Sequence, residues 1–401
     1  MNLLALMEQM AEATARPGRL FLAPERCLHK RDKLSDCAAC FDICPVAAIV
    51  PGQPPSLQQD VCINCRACLP VCPVQAYQAA DEIAPLLKQA LRLKGKRLEL
   101  ICAPHPQVET GLPTAHAALI SRGCLAGLGS GTYLALLALG LSEVILRTDA
   151  CADCPLGALH EQIEQQVTAV QQRATHWPEN GRIHTSGPLP NSQLVRRTAR
   201  PATTPPLSRR ELFGLKPERP TPLPDWLQDD EAGRPATNHR LTTAALINLG
   251  PPDPAQPPPD LSGLGLAAVS VNADRCTASG VCARACPTNA LHFVEDKQGA
   301  FRLSLAPLNC IGCELCAHVC MPDAIKIDHN PTWTQLFEAE LSVTLLTGQL
   351  TACERCGSGF LAKDEQRYCA ICEFRRKNPF AWTLPPGFDE AQAGLTPADT
   401  P

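Results

Sequence analysis

Cys62-Ile63-Asn64-Cys65-Arg66-Ala67-Cys68-Leu69-Pro70-Val71-Cys72-Pro73 is a run of four thiols at fixed spacing, Cys-x2-Cys-x2-Cys-x3-Cys-Pro. Three thiolates two residues apart can wrap one corner of a cubane iron–sulfur cluster. The fourth, after the wider gap, points away toward a second cluster. A disulfide or a zinc knuckle is the plainer alternative, and the four fixed positions weigh against it. The pattern returns complete at Cys310-x2-Cys313-x2-Cys316-x3-Cys320. Two further runs have the same ending but altered beginnings. One is Cys27-x9-Cys37-x2-Cys40-x3-Cys44-Pro45, with Leu34 where a first cysteine would fall. The other is Cys276-x2-Ser279-x2-Cys282-x3-Cys286-Pro287, with serine in the second place.

These motifs resemble those of bacterial two-cluster ferredoxins. The resemblance implies that ligands cross between paired motifs. Cys62, Cys65, Cys68 and Cys44 would hold one [4Fe–4S] cluster, and Cys27, Cys37, Cys40 and Cys72 another. In the second copy Cys310, Cys313, Cys316 and Cys286 would hold a third. Cys276, Cys282 and Cys320 would hold the last, with Ser279 in place of a thiolate. There Ser279 binds as an alkoxide, or the site keeps a [3Fe–4S] or a labile [4Fe–4S] cluster, since a hard oxygen suits such chemistry less than sulfur. The expected count is three or four [4Fe–4S] clusters.

An internal repeat accompanies the cysteines. Cys44 to Ile49, Cys72 to Tyr77, Cys286 to Leu291 and Cys320 to Ile325 each carry alanine four residues after the cysteine and a large residue five after. That regularity predicts two copies of a pseudo-symmetric fold of small helices and hairpins.

Residues 83–182 have a different rhythm. Arg97–Ile101, Ala118–Ser121 and Glu143–Arg147 read as short buried strands. Gly131–Gly140 and Leu156–Gln172 read as helices. Alternation of this kind predicts a small α/β layer with a parallel sheet. Cys102, Cys124, Cys151 and Cys154 fall at strand ends, where such folds place ligands. This segment resembles the delta subunit of methyl-viologen-reducing hydrogenase, on the strand ending in Cys102, the Arg122-Gly123-Cys124 turn, the helix, and the strand ending in Cys151 and Cys154. The resemblance implies a [2Fe–2S] cluster and electron exchange with a hydrogenase or formate dehydrogenase. The sequence departs from that family in the two-residue gap between Cys151 and Cys154 and in the lack of a close neighbour to Cys102. Zinc, or a redox disulfide between Cys151 and Cys154, remains open. Gly127–Gly131 reads as a tight turn onto a helix rather than a phosphate loop, and His105, His116 and His160 as ordinary core or surface histidines.

Prolines crowd residues 183–262, whose composition predicts an extended linker with a basic middle from Arg196 to Arg219. Ser208-Arg209-Arg210-Glu211-Leu212-Phe213 looks like an export motif, but it is internal and no apolar run follows it. A similar segment precedes the clusters of a ferredoxin that accompanies periplasmic nitrate reductase, which points to an accessory or maturation role. Near the end, Cys353-x2-Cys356 and Cys369-x2-Cys372 form a four-thiolate knuckle suited to zinc, with a rubredoxin-like iron as the alternative.

The expected fold class is multidomain α+β. Its order is an N-terminal helix over 1–20, a dicluster ferredoxin domain over 21–82, the α/β four-cysteine domain over 83–182 and the linker over 183–262. A second ferredoxin domain over 263–331 and a zinc-ribbon-like knuckle with its tail over 332–401 complete it. All 23 cysteines fall into these groups, as eight, four, seven and four. Cysteines at metal-ligand spacings suit a reducing compartment, so the cytoplasm is expected. A net charge of −4 gives no basic field for nucleic acid. The most apolar run, Tyr133–Leu141, is too short to span a bilayer. No nucleophile–base pair, flavin or molybdenum-cofactor signature is present. The chain reads as a polyferredoxin-like electron carrier between redox proteins, with a molybdoenzyme assembly factor or a redox sensor as the alternatives.

Overall fold

The computed structural model describes residues 19–33, 35–203, 223–227, 237–338, 342–362 and 366–377. The expected N-terminal helix, the Ser208–Phe213 segment, Arg209 to Arg219 of the basic stretch and the tail after Pro385 lie outside them. The chain divides into two compact units. The first runs to Asp260, apart from residues 31–36 and 233–235, and the second holds those residues and everything from Leu261 onward.

The first unit opens on strand β1 (Phe21–Leu22) and the one-turn helix α1 (Ala39–Asp42). Strands β2 (Ile49–Val50) and β3 (Ser56–Leu57) follow and pair antiparallel. Helix α2 (Cys68–Val71) leads to β4 (Tyr77–Gln78), which returns to pair antiparallel with β1. Each half thus runs from a thiol loop through one helical turn into a strand, as the sequence repeat predicts.

Helix α3 (Ile83–Leu91) then carries the chain into the α/β layer. Asp81 caps it, accepting the amides of Ile83 (2.9 Å) and Ala84 (3.3 Å). The layer continues through β5 (Arg97–Cys102), β6 (Thr110–Gly111), β7 (Ala117–Ser121), helix α4 (Gly129–Ala138), β8 (Glu143–Leu146) and helix α5 (His160–Ala174). It ends with β9 (Arg182–Thr185), β10 (Val195–Arg196), β11 (Arg200–Pro201) and helix α6 (Thr237–Leu249). Five strands form an all-parallel sheet in the order β11-β7-β5-β8-β9, and β10 pairs antiparallel with β6. Leu98, Leu100 and Ile101 of β5 and all four residues of β8 are buried, as expected of strands covered on both faces. Ile163, Val167, Val170 and Ala174 make the buried stripe of α5 at helical spacing.

The stretch read as linker is therefore structured in several places. Strands β10 and β11 lie in it, and α6 packs along α4. The helices touch at Gly131, where a Cβ would stand 2.1 Å from the Asn238 carbonyl oxygen, and the Gly131 amide donates to Asn238 Oδ1 (2.8 Å). Proline counting misses α6 because its buried face mixes His239, Thr242 and Thr243 with Leu241, Ala245 and Leu246. The proline-rich 251–259 run has no helix or strand, but both its ends are tied down. Trp177 Nε1 donates to the Gly250 carbonyl (2.9 Å) and Arg173 Nε to that of Asp260 (2.6 Å).

The second unit contains β12 (Ala268–Val271), α7 (Val281–Ala285), β13 (Leu291–Glu295), β14 (Ala300–Leu305), α8 (Leu315–His318) and β15 (Ile325–Asp328). After these come β16 (Val343–Gln349), the hairpin β17 (Thr351–Ala352) and β18 (Gly359–Phe360), and α9 (Ala370–Lys377). Strands β12 and β15 pair antiparallel, while β13, β14 and β16 form a second antiparallel sheet. Leu291, Leu303, Leu305 and Ile325 pack with the buried Cys310 and Cys316 in one core. Strand β16 feeds straight into the terminal hairpin. Among the described residues no helix is long and apolar enough to cross a membrane.

Candidate metal centres

The sequence repeat is a backbone device. Ala47, Gln75, Asn289 and Asp323, each three residues after a cysteine, have φ of +49°, +51°, +52° and +48°. That left-handed residue turns the next amide back onto the thiol. The amides of Ala48, Ala76 and Ala290 donate to the Sγ of Cys44, Cys72 and Cys286 at 3.2 Å, and that of Ala324 to Cys320 at 3.3 Å. All four alanines are buried, so a larger side chain has no room there. Amides aimed at sulfur favour the thiolate and are a recognised lever on cluster potential.

Thiols distant in sequence converge in crossed sets. Burial pushes the Cys40 thiol up to about 11, with the charges of Cys37, Cys72 and Cys27 adding to the rise. Burial raises Cys68 further, reinforced by Cys65, Cys62 and Cys44. In the second unit burial raises Cys316, and Cys310, Cys313 and Cys286 bear on it. Burial likewise brings Cys282 to about 11, with Cys320 and Cys276 contributing. Thiols packed this way resist ionisation unless a cation compensates them, so they are chemically fitted to a metal cluster. Each set of the second unit also lines its own cavity. Cys286, Cys310, Cys313 and Cys316 border a small space walled by Val269, Leu291, Leu305 and Ile327. Cys276, Ser279, Cys282 and Cys320 border another.

Ser279 sits in the backbone position of a ligand. In two intact motifs the second cysteine is flanked by left-handed residues, Asn64 and Arg66 around Cys65, Gly312 and Glu314 around Cys313. Ala278 and Gly280 flank Ser279 in the same way, at φ +53° and +65°. The loop geometry is kept and only the donor atom has changed. Cys27, by contrast, comes from a different local structure, following a 3-10 turn over Pro24–Arg26, and its thiol is raised by burial and by the charge of Cys72.

Cys102, Cys124, Cys151 and Cys154 also come together, at the carboxyl ends of β5, β7 and β8. Burial takes Cys102 to about 11, with Cys151 and Cys154 adding; Cys124 to about 12, with Cys102 and Cys154 adding; and Cys151 to about 11, with Cys124 and Cys154 adding. A second relationship was not legible in the sequence. The Cys124 amide donates to the Cys65 carbonyl (3.2 Å), and Cys65 also bears on the Cys124 thiol. Arg66, 2% exposed, crosses Gly123, where a Cβ would come within 2.9 Å of its Cδ. It ends in an ion pair with Glu82 (3.2 Å), which also accepts the Ser121 hydroxyl (3.2 Å) and the Arg122 amide (2.9 Å).

Beneath this set lies a buried ionic group. Arg147 bonds Glu99 (2.8 Å) and both oxygens of Asp149 (2.6 and 2.9 Å). Burial alone would raise Asp149, but hydrogen bonds from Arg147 and His105 hold its carboxyl well below the usual range. His105 accepts the Gln107 amide at Nδ1 (3.1 Å), which leaves Nε2–H for Asp149 (3.3 Å), so neither ring nitrogen is free to bind a metal.

Cys353, Cys356, Cys369 and Cys372 are the tightest set. Among the described residues, they alone form a group of three or more potential ligands whose donor atoms all lie within 4.8 Å of one another. Zn–S bonds of about 2.3 Å place tetrahedral sulfurs about 3.8 Å apart, and the Cys356 and Cys369 sulfurs are 3.8 Å apart. Burial opposes ionisation of Cys353, but amides from Cys369, Cys356 and Arg355 outweigh it and bring the thiol down to about 6. Burial pushes Cys372 up to about 12. The Leu361 amide meets the Thr277 carbonyl (3.4 Å), tying the knuckle to the Cys276 loop.

The comparisons with known proteins agree on the ferredoxin-type segments. Residues 268–324 match the model of a 4Fe–4S dicluster domain, and residues 55–78 that of a 4Fe–4S binding domain. The Cys27–Cys44 run lies outside both matches. No curated protein matches the chain significantly. The chain thus carries two ferredoxin-type 4Fe–4S domains, one in each unit, and a compact four-cysteine site near its end.

Proposed function

We infer that the chain is an electron relay between partner redox proteins. Iron–sulfur domains imply electron transfer, since such clusters supply reversible one-electron redox chemistry without bond-making in a substrate. The observation that carries the relay reading is the Cys65–Cys124 hydrogen bond, which sets a ferredoxin-type thiol set against the four thiols of the α/β layer. Cys44, Cys62, Cys65 and Cys68 form the ligand set on one side. Cys102, Cys124, Cys151 and Cys154 form that on the other, which we assign to a [2Fe–2S] cluster. The four donor atoms of the knuckle all lie within 4.8 Å of one another and those of the α/β set do not, which weighs against a single zinc ion in the latter. Cys27, Cys37, Cys40 and Cys72, and the two sets of the second unit, hold the remaining clusters, and the knuckle holds zinc. The likeness of the α/β segment to a hydrogenase delta subunit supports a hydrogenase or formate dehydrogenase as partner.

The test is an EPR-monitored redox titration of anaerobically purified protein, with iron, sulfide and zinc assayed on the same sample. The relay predicts about 17 to 18 iron per chain, one zinc, and several couples that titrate reversibly. A second reading, a molybdoenzyme assembly factor or redox sensor, draws on the exposed Ser279 and its three-thiol set. Iron near one domain's worth, with a three-iron signal that fades on handling, would replace the relay by that reading.

A further inference from the structure

Glycines recur through the turn onto α4, at 123, 127, 129 and 131, and the first three face the Cys62–Cys72 motif. A Cβ on Gly123 would stand 2.9 Å from Arg66 Cδ and 3.1 Å from the Cys65 carbonyl oxygen. One on Gly127 would stand 2.9 Å from Arg66 Cβ, 3.2 Å from the Arg66 carbonyl oxygen and 3.3 Å from its carbon. One on Gly129 would meet Pro70 Cβ at 2.5 Å, but a φ of +77° asks for glycine there in any case. Gly123 and Gly127 are different. Both are buried and neither has a left-handed backbone, so alanine could adopt their conformation. Only the missing side chain lets the Cys65–Arg66 backbone come this close. Arg66 cannot step aside, since it is 2% exposed and ends on Glu82 (3.2 Å). Between the two glycines lies Cys124, whose amide reaches the Cys65 carbonyl (3.2 Å). The glycines therefore bracket the hydrogen bond that joins the two thiol sets.

We propose that Gly123 and Gly127 are positioning residues that fix how near the set of Cys44, Cys62, Cys65 and Cys68 lies to that of Cys102, Cys124, Cys151 and Cys154, and so set the rate of electron exchange between them. The proposal rests on the relay reading for the presence of both clusters. The exchange oxidises one cluster by a single electron and reduces the other by the same electron, with no bond made or broken and no proton moved. Its rate falls steeply as the gap widens. A methyl group wedged against the Cys65–Arg66 backbone must push the two loops apart, because a close-packed interior has no space to absorb it.

The experiment is EPR on the fully reduced, anaerobically purified protein, with iron and sulfide assayed on each sample. Neighbouring paramagnetic clusters relax each other, and that effect also falls steeply with separation. In the parent protein the signal of the α/β cluster should relax faster than that of an isolated [2Fe–2S] cluster. The enhancement should shrink in Gly123→Ala and Gly127→Ala, and further in Gly127→Val. The control is Gly131→Ala, which crowds α6 in the same unit and should keep the parental relaxation. A residue that only stabilised the fold would behave as the control does. Full iron with parental relaxation in the Gly123 and Gly127 variants would overturn the proposal, as would an equal change in Gly131→Ala. Loss of iron in Gly123→Ala and Gly127→Ala alike would overturn it in favour of a packing role. So would a parent protein that holds both clusters and shows no enhancement. A parent protein whose α/β set holds no cluster would instead strike at the relay reading itself.

Discussion

The Cys124 amide donates to the Cys65 carbonyl across 3.2 Å. Two cysteines of two different thiol sets, 59 positions apart, are thus joined backbone to backbone. Covalent bonds and this one hydrogen bond connect their sulfurs. The junction is sealed by Arg66 and Glu82, whose side chains are 2% and 7% exposed.

Breaking that buried pair from one side should be costly. Arg66→Leu or Glu82→Leu leaves an uncompensated charge, and each should lose about 3 to 5 kcal/mol. The double variant should lose far less than the sum. Anaerobic urea unfolding of the four proteins in the cycle measures this, and additive losses would show that the pair is not coupled.

Ser279→Cys should complete a four-thiolate set, because Ala278 and Gly280 already give the loop its ligand-bearing shape. Iron per chain should rise by about one, and any isotropic three-iron EPR signal should vanish. Unchanged iron and spectra would mean that the parent protein already holds a full cubane there.

Gly131→Ala should destabilise the first unit although alanine is the better helix former. The propensity gain is about 1 kcal/mol. A Cβ 2.1 Å from the Asn238 carbonyl forces backbone apart, at a cost of about 1 to 3 kcal/mol or more. Loosening of α6 should appear as faster tryptic cleavage after Arg240, read by mass spectrometry. Unaltered cleavage would count against tight packing of α6 on α4.

Cys353→Ser and Cys372→Ser should each remove about one equivalent of zinc and leave iron unchanged, since the knuckle shares no thiol with the other sets. Elemental analysis checks this, and limited proteolysis should show new cleavage confined to residues 350–377. A parallel drop in iron would show that the knuckle metal supports the neighbouring cluster fold.

The parts of the fold that were legible in the sequence are those written in spacing. The gaps between cysteines marked the 4Fe–4S segments that the family models also match. The alanine four residues on marked the repeat, but the amide–sulfur bond and the left-handed residue that makes it show only in the backbone. Strands β5, β7 and β8 are short runs of buried aliphatics and stood out for that reason. Helix α6 did not, because threonines and a histidine share its buried face, and its glycine contact lies on another helix over a hundred residues away. Arg66 carried no signal of its own among the cysteines of its motif. Its burial depends on Gly123, which local pattern cannot connect to it.

The crossed sets, as proposed, also set the point in synthesis at which each site can first be filled. In the proposed assignment Cys44 belongs with Cys62, Cys65 and Cys68, while Cys27, Cys37 and Cys40 wait for Cys72. Neither set is complete halfway through the domain. Both close within the last few residues of the same motif, so the emerging half carries open thiols until then. A chain cut between residues 45 and 61 would leave both of these sets divided between its two fragments, while every thiol set after residue 100 stayed whole.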